Sequence, residues 1–285
     1  MNRVLACLTT CFAATWVTAC GGDTPPSDAA PETALAPHEV HFTASDFAFE
    51  GPTTIESGMV TFVLDNTSAN LHHLQLVRLT EGMSAEDFHQ RFLTLQPGTP
   101  PPAWFVDAGG VNPPAPGQPA RVTLMVEPGE YAVVCIVDTP DHVPHLAKGM
   151  IAPLTVTPAA GGPAPMPAAD RTLTLVDYAF SLDAPLTSGS HAIRVVNGAT
   201  QSHEIALFRI LPGKTIDDVM AWGATYAGEP PMTAAGGVPA IRPGQEAVMH
   251  VELTPGEYVA LCFVPDANDG APHVAHGMAL PFTIS

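Results

Sequence analysis

The chain of 285 residues contains one long segment twice, and this internal repeat limits the folds that are open to it. The two copies align over roughly 120 residues, with only small insertions or deletions between them. Residues 46–49 (DFAF) match 177–180 (DYAF), and residues 108–111 match 235–238 as AGGV. A stretch rich in proline, glycine and alanine separates the copies. We therefore predict domain 1 at residues 38–157, a linker at 158–169 and domain 2 at 170–285.

Each copy shows short apolar runs of strand length, interrupted by turn-forming glycine and proline. A hydroxyl residue followed three positions later by an acid, at Ser84 and at Thr215, predicts the start of one short helix per copy. The predicted strands lie near 38–44, 59–65, 72–79, 121–126, 130–137 and 150–157, and near 171–176, 190–196, 203–210, 247–253, 257–264 and 278–284, with short edge pieces near 47–55 and 178–186. This pattern predicts an all-β fold of two tandem Greek-key β-sandwiches, each with a crossover helix.

The charge balance bears on the partners of the chain. Ten basic and 28 acidic residues leave a formal charge of −18. Binding to phosphates needs a positive surface, so we expect no nucleic-acid partner. The negative charge favours solubility, and a basic redox partner protein is the alternative interpretation.

Residues 1–19 are typical of a signal peptide, because Arg3 precedes an apolar run that is too short to span a bilayer. The sequence Val17-Thr18-Ala19-Cys20-Gly21 resembles the lipobox of bacterial lipoproteins. The resemblance implies cleavage before Cys20 and lipid on its sulfur, with residues 20–37 as a flexible tether. We expect an exported protein held by lipid on the periplasmic side of the cell envelope, at the outer membrane if the host has one. An ordinary secretory signal is the alternative.

Two cysteines remain once Cys7 and Cys11 leave with the signal and Cys20 serves as the anchor. Cys135 and Cys262 occupy matching positions in the two copies. A lone thiol per domain in an oxidising compartment is explained by metal ligation, by inert burial or by a disulfide between the copies. The disulfide is the least favoured, because both cysteines lie within apolar, strand-like runs.

Soft donor residues follow the same order in both copies. A cysteine ends an apolar run, and a histidine and a methionine precede the last predicted strand. The candidate ligands are Cys135, His145 and Met150 in the first copy, and Cys262, His273 and Met278 in the second. Thiolate, imidazole and thioether together suit a soft, redox-active metal such as copper.

A further histidine of each copy lies on a predicted strand. His72 shares its strand face with Leu74 and Leu76, and His203 shares its face with Ile205 and Leu207, so both are expected to point inward. His73 has Glu204 as its counterpart, which argues against a ligand role for His73.

Each copy resembles a cupredoxin, the family of small blue-copper proteins that includes plastocyanin and amicyanin. The shared motifs are Asn-x5-His, Gly-x-Tyr-x3-Cys and His-x4-Met, which together cover most of the mature chain. The resemblance implies one type 1 copper per domain, with two histidines and the cysteine as equatorial ligands and the methionine as the weak axial ligand. The implied sets are His72, Cys135, His145 and Met150, and His203, Cys262, His273 and Met278.

The chain departs from the small cupredoxins in one spacing. Nine residues separate Cys135 from His145, and ten separate Cys262 from His273. Copper nitrite reductases accommodate such a longer loop. The spacing leaves His142 as a rival to His145, although the residue aligned with His142 is Gly270.

Three functions compete at this point. The first is electron transfer by a lipid-anchored protein with two copper sites. The second is a two-domain copper oxidase or nitrite reductase, although Val134 and Leu261 stand before the cysteines where those enzymes place a histidine ligand of a second centre. The third is a copper-handling or copper-free binding module.

Overall fold

The structure, a computed structural model, describes residues 36–115 and 117–285. The predicted signal sequence, Cys20 and most of the tether at 20–37 lie outside this part of the chain. No helix within it is long and apolar enough to cross a membrane. The architecture is all-β, as predicted.

Nine strands and one α-helix make up the first half. They are β1 (His38–Ser45), β2 (Ala48–Glu50), β3 (Thr54–Glu56), β4 (Gly58–Asn66), β5 (Leu74–Arg78), α1 (Ala85–Phe92), β6 (Val106–Val111), β7 (Ala120–Val126), β8 (Gly129–Val134) and β9 (Ile151–Thr157). A short 3-10 turn, His145–Lys148, lies between β8 and β9.

The second half repeats this order with one edge strand fewer. Its elements are β10 (Arg171–Val176), β11 (Ala179–Leu182), β12 (Gly189–Asn197), β13 (His203–Ile210), α2 (Ile216–Gly223), β14 (Met232–Ile241), β15 (Glu246–Leu253), β16 (Gly256–Leu261) and β17 (Ala279–Ile284). The matching 3-10 turn is His273–His276.

The two halves share one continuous sheet, in the order β11-β10-β12-β15-β7-β4-β1-β2. Strands β15 and β7, which are equivalent in the two copies, pair antiparallel at its centre, with Ala247 opposite Leu124. A five-stranded sheet, β3-β9-β8-β5-β6, and a four-stranded sheet, β14-β13-β16-β17, complete the two sandwiches. Each half is therefore a two-layer sandwich, and the halves are joined through paired strands as well as through the linker.

Alternating side chains build the core between the layers. In β12 every second residue is buried, including Ile193 and Val195 at 0% exposure. Strand β4 is buried over most of its length, with Phe62 and Leu64 facing the core. The period of two in β12 is what a strand with one face on a core requires.

The two helices begin where the sequence predicts them. The Ser84 hydroxyl accepts the Asp87 N–H, and the Asp87 carboxylate accepts the Ser84 N–H in return. Thr215 and Asp218 form the same reciprocal pair in α2. These capping boxes satisfy N–H groups that a helix start otherwise leaves without partners.

Strands β6 and β14 were not predicted, because each contains a glycine pair that is atypical of strands. The structure explains both pairs by close backbone approach. A Cβ at Gly110 would lie 2.0 Å from the Leu74 carbonyl oxygen, and a Cβ at Gly237 would lie 1.9 Å from that of Ile205. Glycine at these positions lets β6 pair with β5, which follows His72, and lets β14 pair with β13, which begins at His203.

Candidate metal centres

Three side chains of the first half converge at the end of the sandwich. The distance from His72 Nδ1 to His145 Nδ1 is 3.0 Å, and Cys135 Sγ lies 3.4 Å from His145 Nδ1 and 3.9 Å from His72 Nδ1. All three residues are at most 1% exposed. Residues separated by up to 73 positions thus bring two ring nitrogens and one sulfur together in a water-excluded place.

The triangle of donor atoms has the size that a metal ion needs. A point equidistant from three atoms at these separations lies about 2 Å from each, close to the usual length of bonds from imidazole nitrogen or thiolate sulfur to a first-row ion. Two imidazoles and one thiol form a soft donor set, which suits copper better than magnesium or calcium. The residues present therefore fit a copper ion.

The second half reproduces the arrangement. Cys262 Sγ lies 3.3 Å from His273 Nδ1 and 3.8 Å from His203 Nδ1, and all three residues are buried. The three ligand atoms lie within 4.8 Å of one another in each half. We name the groups the first centre (His72, Cys135, His145) and the second centre (His203, Cys262, His273).

The long loop between cysteine and histidine is fixed at both ends by backbone hydrogen bonds. His145 N–H donates to Val137, and Leu146 N–H donates to the carbonyl of Cys135. In the second half, His273 N–H donates to the Val264 carbonyl and Val274 N–H donates to the Cys262 carbonyl. Each N···O distance agrees with that of its counterpart in the first half to 0.1 Å. The extra residues therefore form a loop whose two ends are hydrogen bonded to each other, and the histidine lies beside the cysteine.

Met150 and Met278, the axial ligands that the resemblance implies, are joined to the cysteines of the centres through the backbone. Both are 0% exposed and belong to the same apolar core as the cysteines. Cys135 N–H donates to the Met150 carbonyl, and Cys262 N–H donates to that of Met278. A left-handed glycine, Gly149 at φ 96° in the first half, precedes the methionine and turns the chain into the last strand.

Carboxylates and a hydroxyl orient the first histidine of each centre. His203 Nε2–H donates to Asp177 Oδ1 at 3.0 Å, and His72 Nε2 lies 2.9 Å from Ser68 Oγ and 3.7 Å from Asp46 Oδ1. With Nε2 protonated for these contacts, Nδ1 presents its lone pair to the centre.

Burial keeps the imidazoles neutral and the thiols protonated when no cation is bound. Desolvation, aided by the neighbouring ring, lowers the pKa of His145 and of His273 to about 4 in each case. Desolvation also raises the pKa of Cys135 to about 12 and raises the pKa of Cys262. A bound cation would offset the cost of a buried thiolate, so thiol ionisation and metal binding are coupled here.

Each sulfur also accepts a backbone hydrogen bond. The N–H of His73 donates to Cys135 Sγ, and the N–H of Glu204 donates to Cys262 Sγ, both at 3.4 Å. Such bonds stabilise negative charge on sulfur.

His142, the rival to His145, lies elsewhere. It adopts a left-handed backbone with φ 58°, and its ring packs on Tyr226 of the second half with the centroids 4.9 Å apart. It is absent from the group of side chains that can jointly hold an ion in the first half.

The aromatic residues that cover the centres were not predicted as part of the site. The Phe47 ring lies 5.1 Å from the His145 ring, edge to face, and the Tyr178 ring lies 5.6 Å from the His273 ring in the same way. Both aromatic residues have a positive φ, 58° and 64°, which costs a non-glycine residue about 1 kcal/mol or more. The repeated Asp-aromatic-Ala-Phe motif was the available signal for them.

No protein-family model matches the chain, and no curated protein does. Among solved structures, reduced auracyanin from Roseiflexus castenholzii is 20% identical, with a TM-score of 0.29, over 40% of this chain and 94% of its own. The blue copper oxidase from Nitrosomonas europaea is 16% identical, with a TM-score of 0.26, over 87% and 86% of the two chains. Copper nitrite reductase from the same organism is 15% identical, with a TM-score of 0.23, over 88% and 94%. At these identities and TM-scores the likeness is too distant to carry an inference about this chain.

Proposed function

We propose that each half of the chain binds one type 1-like copper ion and that the protein transfers electrons. The observation that carries this proposal is the convergence of two Nδ1 atoms and one Sγ within bonding range of a common point, in both halves. The proposed ligands are His72, Cys135, His145 and axial Met150, and His203, Cys262, His273 and axial Met278. Copper held by such a set supplies a reversible one-electron couple.

The protein residues would hold and shield the ion. The sandwich fixes Cys135 and His72 on neighbouring elements, and the backbone bonds of the loop fix His145, so that the donor positions need little rearrangement between oxidation states. Phe47 covers one imidazole, and the core excludes water from the sulfur. A buried donor set whose ligands are fixed by the surrounding backbone suits a reversible one-electron couple.

Metal analysis of the purified mature chain tests this proposal. We expect about two copper ions per chain, intense visible thiolate-to-copper absorption and the narrow copper hyperfine splitting of a type 1 site. Cys135→Ser and Cys262→Ser should each remove one ion and about half of the absorption. Ala132→Ser, a buried change on β8 away from the sulfur, is the control for general destabilisation. Unchanged metal content in both cysteine variants would overturn the proposal. Turnover of nitrite or phenols by the purified chain would favour the alternative, a copper nitrite reductase or oxidase.

We further propose that the chain acts in the cell envelope, anchored through lipid on Cys20. This proposal rests on the lipobox-like sequence at residues 17–21. Labelling with a radioactive fatty acid in a bacterial host should mark the full chain and fail to mark Cys20→Ala. Export of the protein without fatty-acid label would identify an ordinary signal peptide instead.

A further inference from the structure

The second sandwich contains a cavity of about 430 Å³ between its two sheets, open at one side. This volume lies within the range of pockets that hold small molecules, about 300–1,000 Å³. It is also more than ten times the share of liquid volume that one water molecule takes, about 30 Å³. We call the buried side chains that line it the floor, namely Leu173, Ile193, Ile205, Leu207, Met249 and Ala260.

The lining of the cavity is almost wholly apolar. Asp183 carries the only polar side chain among the described residues that line it. Asp183 is exposed, and its carboxylate accepts the N–H of Thr172 at 2.9 Å, so it belongs to the opening and not to the floor. The floor side chains offer no hydrogen bond to a bound molecule. The buried part of a ligand must therefore be hydrocarbon, because burying an unpaired polar group is costly.

The first half fills the equivalent space with aromatic rings. Phe42 and Phe62 occupy the positions that are Leu173 and Ile193 in the second half, and their ring centroids are 6.4 Å apart. Both rings are at most 2% exposed. The Phe42 ring lies so close to Gly51 that a Cβ there would be 2.4 Å from it. The second half has thus replaced two buried rings of its twin by smaller aliphatic side chains.

Large side chains of the second half lie instead at the opening. Leu280 and Phe282 of β17, which align with Ala152 and Leu154, are only half-buried, and so is Leu182, which aligns with Gly51. On the floor, Ala260 is smaller than its counterpart, and only the flexible Met249 is larger than its own. Compared with the first half, the second half therefore combines a floor without rings with a bulky, apolar opening.

The cavity opens beside β17, where the second half lacks an edge strand. In the first half β3 pairs parallel with β9, with Ile55 opposite Val156, and Ile55 is 7% exposed. The aligned segment of the second half, residues 185–187, is not a strand, and it begins with Pro185, which has no N–H to donate. Strand β17 therefore ends its sheet, and Pro185 and Leu186 line the cavity.

We propose that this cavity binds the acyl chain of a neutral, single-chain lipid. An acyl chain can lie on the floor with its polar end at the opening, whereas a ring compound with oxygens at both ends would bury one of them without a partner. A neutral head group is favoured because Asp183 lies at the opening of a chain with a formal charge of −18. Arg171 donates to the Pro185 carbonyl nearby, but the Asp170 carboxylate, 3.9 Å away, offsets its charge.

Calorimetric titration of the purified, delipidated chain with 1-dodecanoylglycerol, below the concentration at which this lipid aggregates, tests the proposal. We expect one site per chain and a melting temperature that rises with the lipid concentration. Nuclear magnetic resonance of the methionine methyl groups locates the site. The Met249 signal should shift on titration, and the signal of Met83, a buried residue of the first half that does not line the cavity, should not.

Ile193→Phe places on the floor the ring that the first half has at this position. It should weaken binding by at least about tenfold, because the ring excludes several methylene groups of the ligand. If Ile193→Phe does not fold, Ala260→Val, which introduces the first-half residue Val133, is the second variant and should also weaken binding. Met220→Phe is the matched control, since it adds a ring at an exposed position of α2.

The proposal is overturned if the unmodified chain shows no binding and no Met249 shift. It is overturned equally if the folded floor variants bind as tightly as the unmodified chain, or if Met220→Phe weakens binding as much as they do. Concentration-dependent dimerisation that Ile193→Phe abolishes, without lipid binding, would assign the open side to a second copy of the chain instead. None of these measurements needs copper, so the result leaves the proposed function untouched.

Discussion

His203 Nε2 donates to Asp177 Oδ1 at 3.0 Å, whereas the equivalent His72 meets the Ser68 hydroxyl and has its carboxylate, Asp46, at 3.7 Å. The second centre has another carboxylate nearby, since Asp266 Oδ2 lies 3.7 Å from His273 Nε2. Asp266 is 1% exposed, and hydrogen bonds from Tyr178 and Gln201 hold its pKa below the usual range. Two copies of one fold therefore provide different electrostatic environments.

The first prediction is that the second centre has the lower reduction potential, because negative charge stabilises Cu(II) relative to Cu(I). Asp266→Asn should raise the potential of the second centre by about 50 mV, slightly less than a tenfold change in a one-electron equilibrium. Spectroelectrochemical titration of the Cys135→Ser background measures it. Asp269→Asn, an exposed acid of the same loop, should change the potential much less. An equal shift in both variants would contradict the role of the buried charge.

The second prediction concerns the aromatic cover. Phe47→Ala should speed removal of copper from the first centre by a chelator by roughly tenfold and leave the second centre unchanged, because it uncovers only the His145 ring. Chelator kinetics followed in the visible band measure both centres in one experiment. Phe47→Tyr is the control, because it introduces the residue that the second copy has at the aligned position, Tyr178, and keeps an aromatic ring. Equal acceleration at both centres would indicate a global loss of stability instead.

The third prediction is that Gly110→Ala and Gly237→Ala destabilise the fold by more than about 3 kcal/mol, because each new Cβ meets a carbonyl oxygen at 2.0 or 1.9 Å. Gly213→Ala isolates the backbone contribution. Gly213 has φ 79° and open space around its Cβ position, so alanine there should cost about 1 kcal/mol. Urea unfolding followed by circular dichroism compares the three variants. Similar losses of unfolding free energy in all three variants would show that the positive φ, and not the contact with a carbonyl oxygen, causes the destabilisation.

The fourth prediction is a pH dependence that comes from Asp107. Burial raises its pKa to about 6 from an ordinary value near 3.8, despite hydrogen bonds from Gln75 and Ser202 and the nearby Arg242. The folded state thus holds this proton more tightly than the unfolded state does. The resulting stability is fully present below the unfolded pKa and is lost as the pH rises from about 4 through 6.

Asp107→Asn should therefore reduce the loss of unfolding free energy between pH 4 and pH 6, by up to about 3 kcal/mol. Denaturant titrations at several pH values compare it with the unmodified chain. Asp183→Asn, the same substitution at an exposed position of the second half, is the control. An unaltered slope in Asp107→Asn would mean that another group titrates.

Local patterns predicted the elements and the ligand candidates because their signals are local. The capping residues Ser84 and Thr215, the apolar runs and the order of cysteine, histidine and methionine before the last strand can each be recognised within a short segment of sequence. The repeat strengthened each of them, because a motif that occurs twice in register is harder to attribute to chance. The structure places Cys135 Sγ 3.9 Å from His72 Nδ1.

The contacts between the halves could not be predicted in this way. Asn112 of the first half donates hydrogen bonds to Glu204 and to the Ile205 carbonyl of the second half. The residue aligned with it in the second copy is Pro239, so the repeat gives no sign of these contacts. His73 lies beside a candidate ligand, and strand alternation alone could not show that both faces of its strand are covered. Strand pairing between β7 and β15 likewise depends on tertiary contacts that the sequence does not encode locally.

The pairing of β7 with β15 joins the two halves by a hydrogen-bonded ladder, in addition to the linker at 158–169. Each copy also covers, with its twin, a strand edge that an isolated sandwich would expose to self-association. A protease cut in the linker would leave a two-piece molecule whose halves remain joined by this ladder. The duplication has thus produced two sandwiches that share one sheet and are held together by more than their linker.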